Sequence, residues 1–309
     1  MQFIFIGGCP RSGTTLLGNL LGNLEGCIAT PESQFKFALW NAHVRREALD
    51  IPLQRELENG HRLRSWGITR SCLLQVRSHD FISCMSDLVS IYARKLGRNC
   101  HTWIDHTPNN LRFASDWIAA KPDIKLVHII RDGRANAASV LPLDWGPNDI
   151  IRAAKWWKRK TTEGLEAARM WPEHVKLIRY EDLVADPHAT CSALSNWLEL
   201  RFDSNLLLLN RTSIPESTRA QHRLVENPPD ASRIDAWKQH MSSDEVACFE
   251  WYAGDLLQRL GYGLHGPRPP QRPSLYNRIK YSSYRDWTYL TLYNLWRRHQ
   301  RRQLDNQNS

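Results

Sequence analysis

The first fifteen residues constrain this chain more than any others. Phe3-Ile4-Phe5-Ile6 is a short, continuous apolar run that ends in glycine, the pattern of a strand buried on both faces of a parallel sheet. Gly8-Cys9-Pro10-Arg11-Ser12-Gly13-Thr14-Thr15 follows at once, and Leu16, Leu17, Leu20, Leu21 and Leu24 then recur at helical spacing. A glycine-rich turn from a buried strand into a helix start points backbone N–H groups at one place, where the helix dipole favours negative charge. The segment predicts an anion cradle.

Further along, apolar periodicity predicts helices over 34–47, 79–97, 109–120, 149–170, 188–199 and 242–259, with another from Gly133 to about Val140. A short apolar run after the first helix predicts a second strand, and 101–104, 125–130 and 174–180 predict three more. Strands alternating with helices imply an α/β fold, a central parallel sheet flanked by helices with the phosphate-binding loop after its first strand. Pro267-Arg268-Pro269-Pro270-Gln271-Arg272-Pro273 is too proline-dense for a helix interior or central strand. It divides the chain into a body, 1–266, and a tail, 267–309.

The loop keeps the glycine spacing of nucleotide hydrolases, but Thr14 stands where their lysine would be. Nucleoside triphosphates crowd charge at the β- and γ-phosphates, which lysine and Mg²⁺ answer. A loop of hydroxyls (Ser12, Thr14, Thr15) with one cation, Arg11, suits a less charged group without metal. A second anion site is predicted where the strand 125–130 runs into Arg131-Asp132-Gly133-Arg134-Ala135-Asn136-Ala137-Ala138-Ser139. Ligands gather at the carboxyl ends of parallel strands. There Arg131 can grip a phosphate bidentately and Ser139, eight residues on, can donate a hydroxyl. Asp132 reads either as a cap of the following helix or, in the hydrolase pattern, as a Mg²⁺ ligand.

Pro10-Arg11-Ser12-Gly13-Thr14-Thr15-Leu16 resembles the 5'-phosphosulfate loop of the sulfotransferase family, its arginine form most of all the tyrosylprotein sulfotransferases and related bacterial enzymes. Arg131 with Ser139 resembles the family's 3'-phosphate site. The resemblance implies a P-loop-like sulfotransferase fold over roughly residues 1–260. It also implies transfer of a sulfuryl group from 3'-phosphoadenosine-5'-phosphosulfate (PAPS), leaving 3'-phosphoadenosine-5'-phosphate (PAP), with no metal. Pro10, Arg11, Ser12, Gly13, Thr14 and Thr15 would hold the 5' end and Arg131 and Ser139 the 3'-phosphate. Tyr180, in Arg179-Tyr180-Glu181-Asp182-Leu183, matches a nucleotide-contacting tyrosine at a strand end, with plain packing as the alternative. Ser217, and Arg233 ahead of Trp237, resemble the loop that closes over the nucleotide, at a longer spacing than the family's.

In-line transfer needs a base for the acceptor proton and cations for the developing charge. Glu32, in Thr30-Pro31-Glu32-Ser33-Gln34, stands where tyrosylprotein-type enzymes carry their catalytic glutamate; the alternative is a cap for the helix over 34–47. Arg11 would stabilise charge on the bridging oxygen. His106, in Asp105-His106-Thr107-Pro108, is the second candidate base or a leaving-group contact, at a position where relatives often have lysine. Trp156-Trp157 reads as helix packing.

The seven scattered cysteines show no metal-ligand or CxxC spacing and predict free thiols in a reducing compartment. With no leader-like start and no membrane-length apolar stretch, a cytoplasmic protein is expected. Of a net charge of +9, most lies in the tail, where nine basic residues face Asp286 and Asp305. Its stretch from Arg285 to Arg298 interleaves tyrosine, tryptophan and leucine between arginines, which suits a terminal helix packed on the body or an anionic membrane surface. No nucleic-acid-binding motif is present, and no nucleic-acid partner is expected. The acceptor is expected to carry a hydroxyl, on a glycan, a lipid or small-molecule alcohol, or a peptide tyrosine. Two other readings compete: a nucleotide kinase or hydrolase, and a non-enzymatic nucleotide-binding adaptor at a membrane.

Overall fold

The computed structural model describes residues 1–76, 80–143, 145–147, 149–207, 229–266, 272–282, 295–296 and 299–300. Five parallel strands form one sheet in the order β2-β3-β1-β4-β5: β1 Gln2–Gly7, β2 Cys27–Ala29, β3 Thr102–Asp105, β4 Lys125–Ile130 and β5 Val175–Arg179. The helices between them are α1 Thr14–Gly22, α2 Lys36–Val44, α3 Asp50–Asn59, α4 Arg62–Ser65, α5 Arg70–Leu73, α6 Phe81–Lys95, α7 Ala114–Ala120, α8 Gly133–Val140 and α9 Ile150–Met170. After β5 come α10 Tyr180–Ala185, α11 Pro187–Trp197, α12 Ser204–Leu207, α13 Trp237–His240, α14 Ser243–Arg259 and α15 Leu275–Ser282. The expected parallel α/β architecture is present.

Strand alternation explains how β1 anchors both layers. Phe3 and Phe5 face one side, where they meet Trp103 and Trp117 edge-on at ring separations of 5.0–5.7 Å. Trp40, Trp66 and Phe81 extend this aromatic layer under α2 and α6. Ile4 and Ile6 face the other side, against Leu17, Leu20 and Leu21 of α1 and Leu183 and Leu194 of α10 and α11. A third cluster packs α8, α9 and α14 together around Trp157 and Phe249. Trp157 is therefore helix packing, as expected.

Two local readings are revised, and one segment that carried no reading proves helical. The helix expected over 109–120 opens as a 3-10 turn, Pro108–Phe113, before α7 begins. The strand expected over 174–180 ends at Arg179, and Tyr180 opens α10. The segment 50–73 carries three helices that its polar composition conceals, α3 burying only Leu53. Among the described residues no helix is long and apolar enough to cross a membrane, and all seven cysteines are free. In the tail, α15 contacts α9 and α14; the arginine-flanked aromatic stretch, but for Leu295 and Trp296, lies outside the described residues.

His128, on β4, is one pH-sensitive point of the fold. Its ring is fully buried against Gly164 of α9, with the backbone of Gly7 and Thr161 as its nearest polar surroundings. Burial pushes its pKa down from 6.5 to about 4. Because the unfolded chain takes up this proton first, the neutral ring's contribution is complete above pH 6.5 and is lost as the pH falls toward 4. Urea unfolding should therefore lose about 2 kcal/mol between pH 7.5 and pH 5, and His128→Phe should remove that part of the slope. Equal slopes in both proteins would assign the loss to other groups.

Candidate functional site

The phosphate loop spans the gap between β1 and α1 under tight steric control. Gly13 has φ +98°, and a Cβ there would stand 2.6 Å from the Tyr180 ring, so only glycine fits. Arg11 adopts φ +74°, a left-handed conformation that is uncommon for a side-chain-bearing residue. The loop's start is held by Gly8 N–H donating to the Pro108 carbonyl at 3.0 Å. Ser12 and Thr14 are buried, while Pro10, Gly13 and Thr15 are partly exposed.

The two predicted anion sites meet. Arg11 Nε donates to Ser139 Oγ at 3.0 Å, and Arg131 Nη1 donates to the Arg11 carbonyl at 3.1 Å. The Arg131 guanidinium lies over the Tyr180 ring, 4.1 Å from its centroid, so Tyr180 sits between Gly13 and Arg131. Arg131 Nη2 donates to the Arg233 carbonyl at 3.2 Å, which brings the segment ahead of Trp237 into the site through its backbone. The Arg233 side chain turns to Asp230, at 3.7 Å. Ser217 lies outside the described residues. Burial, and then the charge of Arg131, push the Arg11 pKa down, with Glu32 and Tyr180 acting against them. Arg131 Nε is buried with no hydrogen-bond partner among the described residues. Two neighbouring guanidinium groups with an orphaned buried N–H suit an anionic ligand with more than one charged group.

Asp132 is a structural residue. One carboxylate oxygen caps α8 through Arg134 N, and both oxygens bind the Arg134 side chain at 2.7 and 3.0 Å. Arg134 continues to Glu250 on α14 at 2.6 Å, and Glu250 accepts the N–H groups of His265 and Gly266. Trp157 Nε1 donates to the Arg131 carbonyl at 3.1 Å, which fixes the strand end from below.

Glu32 lies in the loop after β2, with its side chain 23% exposed. The capping alternative fails: α2 has Phe35 at its N-cap and no side-chain cap. The Glu32 Oε2 atom instead accepts from Arg62 at 3.2 Å and from Gln34 at 3.0 Å. His106 is buried against Gly18 of α1, about one turn beyond Thr14, and its Nδ1 has no hydrogen-bond partner among the described residues.

Sequence reasoning gave no role to Arg62, Lys36 or Asn136. Nothing in the chain announces Arg62, which reaches Glu32 across thirty residues. Lys36, beside two phenylalanines, is completely buried and ion-paired with Asp105. Its ammonium also donates to Ser33 Oγ at 3.1 Å and Asn110 Oδ1 at 2.6 Å. Thr107 Oγ1 donates to Asp105 at 2.8 Å and accepts from Ser33 N at 2.9 Å. This node ties the end of β3 to the strap that carries Glu32. Burial alone would raise the Asp105 pKa, but the Lys36 charge and hydrogen bonds hold it below the ordinary value.

The sequence profile of the sulfotransferase family matches residues 3–204. Protein-tyrosine sulfotransferase A of Caenorhabditis elegans is 24% identical over 278 residues, covering 86% of this chain and 69% of that protein. The sulfotransferase domain of the Synechococcus PCC 7002 olefin synthase superposes with a TM-score of 0.59 at 20% identity, covering 85% of this chain and 96% of that one. The sulfotransferase domain of the curacin biosynthetic pathway superposes with a TM-score of 0.54 at 18% identity, over 85% and 98% of the two chains. These two structures share the fold.

Removing one member of a buried ion pair strands the other charge. Lys36→Met should destabilise the protein by about 3–5 kcal/mol in urea unfolding at pH 7, and Lys36→Met with Asp105→Leu should recover a large part. A single-variant loss below about 1 kcal/mol would show that Asp105 is not ionised in the folded protein.

Proposed function

The chain belongs to the sulfotransferase family, and on that premise we propose that it transfers the sulfuryl group of PAPS to the hydroxyl of an acceptor by in-line displacement. The observation that carries the donor assignment is the junction of the two strand-end sites. Arg11 and Ser139 are in contact, Arg131 stacks on Tyr180, and Arg131 keeps a buried N–H without an acceptor among the described residues. A ligand with anions at both its 5' and 3' ends matches that junction better than one with a single polyphosphate chain. The donor supplies an activated sulfur–oxygen bond.

Each residue then has a definite task. The backbone of Pro10 to Thr15, with Ser12 and Thr14, cradles the 5' end at the start of α1. Arg131 and Ser139 hold the 3'-phosphate, and Tyr180 supports the Arg131 plane. Arg11 lies between the two sites and offsets charge on the departing oxygen. Glu32 takes the acceptor proton: Arg62 and Gln34 occupy its Oε2, and Oε1 has no hydrogen-bond partner among the described residues. His106 is the second candidate for that role or for a leaving-group contact. That the C. elegans relative is a protein-tyrosine sulfotransferase supports peptide tyrosine as one candidate acceptor, beside glycan, lipid and small-molecule hydroxyls.

The donor assignment is tested by thermal unfolding with PAP, with ADP, and with ATP plus Mg²⁺. Ligand at 100 times its dissociation constant adds about 2.7 kcal/mol of stability. PAP should raise the melting temperature more than ADP, and Arg131→Ala should abolish the PAP shift. Stabilisation by ATP–Mg²⁺ with none by PAP would overturn the assignment in favour of a kinase or hydrolase.

A further inference from the structure

One residue of the second motif reaches back into the first. Asn136 is buried on α8, and its amide meets three residues of the phosphate loop. Nδ2 donates to the Pro10 carbonyl at 2.7 Å and to Ser12 Oγ at 3.2 Å, and Oδ1 accepts from Cys9 Sγ at 3.4 Å. Amide orientation is often ambiguous, but a carbonyl can only accept, so Pro10 fixes which end is NH₂. Both amide hydrogens are then spent. Ser12 Oγ accepts one of them, and its own hydrogen has no acceptor among the described residues, although the side chain is almost fully buried. Burial keeps the Cys9 thiol protonated by pushing its pKa far up, which preserves it as the donor to Oδ1.

Ser139 lies three residues further on, on the same face of α8, and takes Arg11 Nε. Two side chains one turn apart on one short helix thus grip Cys9, Pro10, Arg11 and Ser12 in succession. We propose that Asn136 is a positioning residue with two effects. It turns the Ser12 hydroxyl into an obligatory donor toward the 5' anion, and it fixes the separation between the 5' and 3' anion sites. The inference rests on the PAPS reading above and adds a determinant that the donor-contacting residues do not contain.

Asparagine is the side chain whose chemistry meets all three partners at this size. Aspartate has the same shape but only accepts. Asn136→Asp would face the Pro10 carbonyl with a second acceptor, draw the Ser12 proton toward itself, and place a negative charge beside the 5' site. Asn136→Ala removes the amide without adding charge.

Calorimetric titration of the full chain with PAP and with adenosine 3'-phosphate, for wild type, Ser12→Ala, Asn136→Asp, Asn136→Ala and the Ser12→Ala/Asn136→Asp double variant, decides the matter. Asn136→Asp should weaken PAP about tenfold or more and Asn136→Ala by a smaller factor in the same direction, with adenosine 3'-phosphate unchanged within about twofold. The double variant should bind PAP no worse than the weaker single variant, because both act through one hydroxyl. Equal losses for both ligands, or losses that multiply in the double variant, would overturn the role of Asn136 and leave the donor reading intact. If Asn136→Asp does not fold, the Asn136→Ala ligand comparison decides alone. A wild type that binds no PAP would overturn the donor reading and this inference together.

Discussion

Parallel strands that end together leave their polar groups in a crowded, half-buried edge, and every such group must find a partner or be held for a ligand. That constraint organises this protein. β1, β3, β4 and β5 deliver Gly8, Asp105, Arg131 and Tyr180 to the same edge. Each is met from a different direction: the Pro108 carbonyl, the Lys36 ammonium, the Trp157 indole, and the guanidinium of Arg131 over the Tyr180 ring. Among the described residues, the Nε–H of Arg131 and the hydrogen of Ser12 find no acceptor at the junction of the two motifs, and His106 Nδ1 finds no partner beyond the end of β3.

Two buried ionic nodes flank that junction and divide the work. On one side Lys36 and Asp105 hold the strap bearing Glu32; on the other Arg134 joins Asp132 to Glu250. Neither node is needed to make the protein hydrophobically stable, and buried pairs of this kind often contribute little net energy. What they supply is direction. A strap tethered through Ser33 keeps Glu32 near Arg11, and a helix start locked by Asp132 keeps Asn136 and Ser139 at fixed heights beside the loop.

The sheet and its motifs were legible because both rest on local pattern. Apolar runs ending in glycine or charge marked β1 and β4, and the spacing of Arg131 to Ser139 survived as a real proximity to Arg11. The helices of residues 50–73 were not legible, since α3 is held by one buried leucine and shows no apolar stripe. Lys36 resembled any surface lysine, because its partner Asp105 is distant in sequence and only the sheet brings them together. Arg62 was invisible for the same reason. Asn136 was within reach: three residues before Ser139 on a helix, it had to face the same way, and only its partners were unknown.

The Trp157 contact gives the chain a property that concerns light. Its indole is fully buried, donates to the carbonyl of Arg131, and lies against Phe249, while Trp40, Trp66, Trp103 and Trp117 form a separate cluster under α2 and α6, on the face of the sheet to which Phe3 and Phe5 point. Indole emission follows the local field, and the peptide unit it senses here belongs to the residue that closes one anion site. The protein therefore carries its own chromophore one hydrogen bond from its binding edge, seen against the background of that separate aromatic cluster.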